Sequence, residues 1–341
     1  MPQISAAYPA KPGQQEVDRV ICASRATDTQ NVYATLEAIR DRALHHNPQL
    51  DIRAALMYQS GWFLHWAEGP HRSVAELFGR IAIDKRHHEP HVVHASTGRR
   101  LLMTPWSMLL SSATESADGF GRRVLAIRDQ IRAGTQLSPT TVIRRLVLPM
   151  RLPGPEGPTP ADAYYRVVVC AASGQGAFDL THWLSETQDV PRESRRTAGP
   201  ADRDSASDYV DFMLDDKPCR VVAVARTALT QGLQRSMAPE WHFLALLFDG
   251  DARRDEALLD RVTEIFDDAP RRPPVLAITP APADFLHVQQ QALARGFDCL
   301  DGGHMSAWES PSVWQSIRER LRHETVDHSS VWPLFPGALP G

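Results

Sequence analysis

The feature that most limits what this chain can fold into is a cluster of prolines near its middle. Pro149, Pro153, Pro155, Pro158 and Pro160 fall within the stretch PMRLPGPEGPTP. Proline fixes φ and lacks a backbone N–H, so this density continues neither a helix nor a central strand. Residues 149–161 therefore read as a stiff linker that divides the 341 residues into two halves, each long enough to bury its own core. The expected organisation is a polar tail at 1–16, a first domain at 17–148, a second domain at 162–325 and an extended tail at 326–341 carrying Trp332 and Phe335.

Composition excludes several classes. The longest apolar run, Phe243 to Phe248, is far short of the roughly 20 residues a spanning helix needs. The N-terminus MPQISAAYPAKPGQQ lacks the basic and apolar regions of a secretory signal. A formal charge of −4 gives no global electrostatic reason for nucleic-acid binding. Cys22, Cys170, Cys219 and Cys299 show no CxxC spacing and read as free thiols in a reducing cytoplasm, which is the expected location. Only three lysines (Lys11, Lys85, Lys217) and two asparagines (Asn31, Asn47) are present, so chemistry that needs either has few places to find it.

In the first half, Val17–Cys22 reads as a strand. Val32, Leu36, Ile39 and Ala43 then share one helical face, with Asp28 or Thr29 able to cap it. Ile52–Tyr58 and Trp62–Ala67 flank the turn Gln59-Ser60-Gly61 as a hairpin, and Val74, Leu77, Phe78 and Ile81 mark a second amphipathic helix. Val92–Ala95 and Ser107–Leu110 can add strands, so the order is β-α-β-β-α-β, the α+β ferredoxin-like plan. Two further helices follow, the second opened by Ser138-Pro139. Alternation puts Trp62, Leu64 and Trp66 on one face of their strand and Phe63 and His65 on the other, without deciding which face meets the helices.

Five segments in order carry a resemblance: Ser24-Arg25-Ala26-Thr27; Asn47 before Asp51-Ile52-Arg53-Ala54-Ala55-Leu56-Met57-Tyr58; Gly61-Trp62-Phe63-Leu64-His65-Trp66-Ala67-Glu68-Gly69; Leu77-Phe78 followed by Asp84-Lys85-Arg86-His87; and Trp106-Ser107-Met108. On these, residues 18–110 resemble a BLUF domain, a flavin-binding blue-light sensor. The resemblance implies FAD as cofactor, held between the two helices over the sheet, with Asn47, Arg86, His87, Trp106 and Met108 around it. It also implies that the tyrosine and glutamine of the family's photocycle correspond to Cys22 and His65, and that a family glycine is Ala54. A thiol lacks the reach of a phenol, and a neutral imidazole offers one donor and one acceptor where an amide offers two donors and a carbonyl. The usual photocycle is therefore expected to be absent. Two residues stay open: Asn47 either caps the turn before Pro48 or holds the flavin edge, and His65 is either a core histidine or a ligand. His45, His46, His87, His91 and His94 do not form a metal-binding pattern, because Val92-Val93 reads as strand where helical spacing would be needed.

In the second half, Tyr165–Cys170 is a buried strand, a loop follows, and a helix begins at Phe178. Asp208–Leu214 and Arg220–Ala225 form a hairpin, and strands at His242–Phe248 and Val275–Thr279 alternate with helices, an α/β three-layer pattern. Residues 163–322 look like a Ras-like small GTPase domain without its nucleotide chemistry. A phosphate loop G-x-x-x-x-G-K-[ST] corresponds to Ala171-Ala172-Ser173-Gly174-Gln175-Gly176-Ala177-Phe178. Gly174 and Gly176 persist, whereas the first Gly is Ala171, the Lys is Ala177 and the Ser/Thr is Phe178. The switch corresponds to Thr227-Ala228-Leu229-Thr230 and the base-reading motif to Thr279-Pro280-Ala281-Pro282. Neither GTP nor Mg²⁺ is expected.

The expected function is a non-catalytic signalling or scaffold protein that joins a degenerate BLUF-like module to a pseudo-GTPase-like module and acts through protein–protein contacts. The BLUF resemblance further implies self-association. The alternative is a working FAD photoreceptor with a partner-binding output domain. No Ser-His-Asp spacing, nucleophile elbow or carboxylate pair points to an enzyme; Asp249 reads as a cap for the helix that follows it.

Overall fold

A computed structural model describes residues 16–111, 115–150, 152, 164–198, 205–230, 232–238, 241–267 and 272–327. Most of the linker and both tails lie outside the described residues. Two edges of those tails do not. Glu16 already pairs with Arg99 in a strand, and the last helix runs to Asp327, past the boundary expected at 325.

The first half runs β1 (Glu16–Ala26), α1 (Val32–His46), β2 (Arg53–Gln59), β3 (Trp62–Gly69), α2 (His71–Ala82), β4 (His87–Arg99), β5 (Trp106–Ser111), α3 (Ala117–Arg132) and α4 (Pro139–Val147). Its strands lie in the order β4-β1-β3-β2-β5. β4-β1-β3-β2 is the antiparallel ferredoxin-like set, and β5 adds beside β2, parallel to it. Local chemistry explains the joints. Ser60 (φ 52) and Gly61 (φ 78) both take left-handed backbone, the geometry of a two-residue hairpin turn. Ser138 accepts a hydrogen bond from Thr141 N while Pro139 occupies the first helical position. Asp28 accepts from Gln30 N and Asn31 N, and it is Asn31 that stands at the N-cap of α1.

Alternation along the strands sorts side chains into two layers. Ala54, Leu56, Tyr58, Phe63, Ala67, Trp106 and Met108 pack toward α1 and α2. Ala55, Met57, Trp62, Leu64, Trp66 and Leu109 pack toward α3 and α4. Phe63 and His65 thus face the paired helices, and the tryptophans face away.

The second half runs β6 (Tyr165–Ala171), α5 (Gly176–Thr187), β7 (Arg192–Ala198), β8 (Ser205–Leu214), β9 (Lys217–Val224), α6 (Arg226–Leu229), α7 (Gly232–Met237), β10 (Phe243–Leu247), α8 (Ala252–Phe266), β11 (Val275–Thr279), α9 (Pro282–Ala294), β12 (Cys299–His304) and α10 (Ser310–Asp327). The strand order is β12-β11-β10-β6-β9-β8-β7; the first five are parallel, and β8 and β7 run antiparallel to their neighbours. One face buries α5 and α10 over Val167, Val169 and Val221, and the other buries α8 and α9 over Val168, Cys170 and Leu246.

The halves share one sheet, and their cores are separate except where Leu233 and Met237 of the second half enter the cluster around Trp62. β7 pairs antiparallel with β5, Met108–Ser111 against Ala198–Arg195, giving a single mixed sheet of twelve strands. Arg195 donates to Val147 O and Tyr209 Oη, and Arg220 donates to Leu148 O (2.7 Å) and Pro149 O (2.9 Å) while pairing with Asp211. The carbonyls at the end of α4 are therefore capped by arginines of the second half, a favourable charge placement at a helix C-terminus.

Candidate functional site

Strand register assembles the floor of the first candidate site. Cys22 lies opposite His65, His65 opposite Leu56, and Leu56 opposite Met108, so four strands contribute one row on the α1/α2 face. The row on one side is Val20, Ala67, Ala54 and Trp106; on the other side it is Ser24, Phe63, Tyr58 and Leu110. Three residues expected from separate motifs, Cys22, His65 and Met108, thus come together, with Trp106 one row away beside Ala54.

The helices above leave this floor partly open. In α1, Val32 and Leu36 are buried, but Ile39, Ala43 and Leu44 are only half-buried. In α2, Val74 is buried, while Leu77, Phe78 and Ile81 remain half-buried. These half-buried apolar faces stand over the floor. His87 reaches over the floor from the start of β4, its ring centroid 5.6 Å from that of His65 and 6.3 Å from that of Phe63.

Four polar atoms on this face are enclosed and have no hydrogen-bond partner: Ser24 Oγ, His65 Nε2, His87 Nδ1 and Trp106 Nε1. Buried polar groups are nearly always paired, so these four atoms call for a partner, a buried water or a polar ligand. Solvent reaches the His65 ring but not its Nε2. Burial, helped by the nearby His87, pushes the His65 pKa down to about 3, so the imidazole is neutral. Burial also holds the Cys22 thiol up at about 11, so it keeps its proton. The floor presents a neutral imidazole and a thiol, neither of them charged.

The remaining expected residues lie at the rim. Asn47 is buried at the junction of α1 and a 3₁₀ turn (Pro48–Leu50), where its carbonyl accepts from Leu50 N (3.1 Å) and Ile52 N (2.9 Å). Asn47 thus stands at the C-cap of α1 and the N-cap of this turn, as the capping reading expects, but it caps through its backbone and its side-chain amide makes no capping bond. Arg86 is held by both carboxylate oxygens of Asp84, and this pairing pulls the Asp84 pKa down to about 2. Apolar side chains beside unpaired polar atoms match the chemistry of a flat heterocycle with an apolar body and a polar edge. On that test the residues suit an isoalloxazine.

The second candidate site is the loop between β6 and α5. Gly174 takes left-handed backbone (φ +63). A Cβ on Gly176 would meet Trp308 Cε3 at 2.7 Å and Leu247 Cδ1 at 3.2 Å, so the Trp308 indole lies directly on the glycines. Asp249 is drawn in as well. Burial works to raise its carboxyl, but hydrogen bonds from Ser173 and Arg254 hold it below the ordinary range. Asp251, with Oδ1 accepting from Arg253 N and Arg254 N, caps α8, which corrects the assignment of that role to Asp249. Thr279, in the stretch matching the base-reading motif, is bonded to His304 Nδ1 at 3.0 Å. Beside the loop, Ala171, Gly174, Gln175, Ala177 and Phe178 line a cavity of about 400 Å³ with Val224–Thr227. Nothing in the sequence pattern signals Trp308 or His304, which come from the β12–α10 end of the chain to the loop and to Thr279 respectively.

Among the described residues, no group of three or more His, Cys, Asp or Glu side chains is placed to hold a metal ion, and no helix is long and apolar enough to cross a membrane.

Comparison with known proteins bears on the first half. Residues 17–109 match the BLUF family, described as sensors of blue-light using FAD, and they form a BLUF domain. No curated protein matches the chain. Solved structures similar to it include the photo-activated state of BlsA, at 18% identity over 39% of this chain and 95% of that one (TM-score 0.28). The dark state of the BLUF protein BlrB is 21% identical over 36% and 88% (TM-score 0.26). Klebsiella pneumoniae BlrP1 with FMN and cyclic diGMP is 14% identical over 93% and 78% (TM-score 0.28).

Proposed function

We propose that this chain is a sensory protein whose BLUF domain holds a flavin between α1 and α2, and whose second half passes the signal on through protein contacts without catalysis. The observation that carries this reading is the set of enclosed, unpartnered polar atoms on the cleft floor, His65 Nε2 and Trp106 Nε1 among them, beneath two half-buried helix faces. A bound flavin supplies blue-light absorption and electron acceptance. The chain's own residues then act differently from a phenol and an amide. The protonated Cys22 thiol is a short, weak donor, and neutral His65 offers one donor and one acceptor. The domain on this reading binds flavin but lacks the family's light-driven hydrogen-bond rearrangement.

A pseudo-GTPase origin for the second half is supported by its parallel block with the β6–loop–α5 unit at the centre and β8 antiparallel beside it. Non-catalysis is supported by Ala177 and Phe178 in place of the lysine and hydroxyl, and by Trp308 packed on the loop. The test is spectroscopic. Full-length protein mixed with FAD and then desalted is expected to keep the flavin absorption, and the band is expected not to shift under blue light. Loss of all flavin on desalting overturns flavin binding, and a reversible red shift overturns the roles given to Cys22 and His65. Multiple-turnover hydrolysis of GTP or ATP overturns the non-catalytic second half.

A further inference from the structure

We propose that α6 and α7 form a conformational relay joining the cavity beside Phe178 to the core of the BLUF domain. The two short helices lie two residue positions apart, and their side chains enter three different environments. Arg226 and Thr227, at the start of α6, line the cavity opposite Phe178 and Ala177. Ala228 and Leu229 are fully buried in the core of the second half against α8. Leu233 and Met237, on α7, are buried in the other half altogether, in the cluster built by Trp62, Trp66, Val124 and Val142. A domain that borrows core residues from a neighbour repacks when that neighbour moves, because interiors are close-packed.

The ends of this segment are tied to rigid elements. Arg261 on α8 donates to Arg226 O (3.2 Å), and Arg235 on α7 pairs with Glu264 of the same helix. Displacement of the cavity wall at 226–227 therefore also loads α8, which both ends of the segment grip. By linkage the effect is reciprocal: whatever fills the cavity biases the BLUF core, and whatever repacks that core biases the cavity wall. This holds whether or not flavin occupies the cleft, so it does not rest on the function proposed above.

The test is hydrogen exchange on the full chain, read by peptide, perturbing each end in turn. Met237→Ala is expected to speed exchange about tenfold in α6 and in the 171–178 loop, while α1, which packs on the opposite face of the BLUF sheet, stays unchanged. Ala225→Phe, which fills the cavity, is expected to alter exchange in α3 and α4 with α1 again unchanged. Changes confined to α7 and its immediate neighbours in the first variant, or to the cavity in the second, overturn the relay. An equal rise in α1 also overturns it, since the halves would then share only their global stability.

Discussion

The cleft of the first half and the loop of the second both lack residues that the sequence resemblances call for, and their polar groups are met in opposite ways. At the loop, the groups left behind found partners within the chain. Trp308 lies on the two glycines, the Ser173 hydroxyl is bonded to Asp249, and Thr279 is bonded to His304. At the cleft, Ser24, His65, His87 and Trp106 keep enclosed polar atoms with no partner, and both helices keep half-buried apolar faces. The loop has satisfied its polar groups within the chain although a cavity of about 400 Å³ remains beside it, whereas the cleft leaves its enclosed polar atoms unpaired. Replacement of a motif residue does not by itself say which of these has happened.

The largest effect that can break this contrast is a difference between two leucines over the same cleft. Leu36 on α1 is fully buried, so Leu36→Ala is expected to cost about 2–5 kcal/mol in chemical denaturation. Leu77 on α2 is half-buried, and Leu77→Ala is expected to cost less than about 1.5 kcal/mol without flavin. Equal costs would mean that α2 is already seated and the cleft is closed.

The next test concerns the loop. Gly176→Ala places a Cβ 2.7 Å from the Trp308 ring and is expected to destabilise the protein by about 1–3 kcal/mol through overpacking. Adding Trp308→Ala should remove most of that cost, because the clash partner is gone. If Gly176→Ala remains equally harmful with Trp308→Ala, the glycine is required by the backbone, and the indole does not explain its presence.

How much of this was legible in the sequence depends on which force places each element. β2 and β3 were readable because alternating apolar residues bury both of their faces, and the same alternation put Cys22, His65 and Met108 into one row. β7, RESRRTA, carries no apolar signal, yet it joins the two halves; it is held by backbone pairing to β5 and β8 and by the buried Arg195. β4 extends well beyond Val92–Ala95 through polar residues and Pro90, which an edge strand tolerates. β12, CLDGGH, is the opposite edge and is equally faint. α7 was invisible for another reason. Six residues give too short a period to read, and the core that Leu233 and Met237 enter belongs to the distant half of the chain. The unpartnered state of the cleft atoms, on which the function rests, is a property of packing and has no counterpart in a motif.

The smallest expected effect returns to the cleft rim, where one group is paired within the chain as at the loop. Arg86 and Asp84 are 35% and 23% exposed, so Arg86→Gln is expected to cost less than about 1 kcal/mol at neutral pH. The sign with pH follows from Asp84, whose pKa lies at about 2 in the fold against 3.8 ordinarily. The stability from the pair is complete above 3.8 and is lost as the pH falls through about 2, so the two proteins should converge in acid unfolding. For flavin, this pairing means that Arg86 does not await a ligand as His65 does. Arg86→Gln should then leave FAD affinity within about twofold in a titration, the scale of a screened surface charge. His65→Leu, which leaves no ring nitrogen to complete, should weaken it clearly more. Should Arg86→Gln prove the more damaging, the guanidinium leaves Asp84 for the ligand, and the rim belongs with the unpaired cleft floor instead of with the internally paired loop.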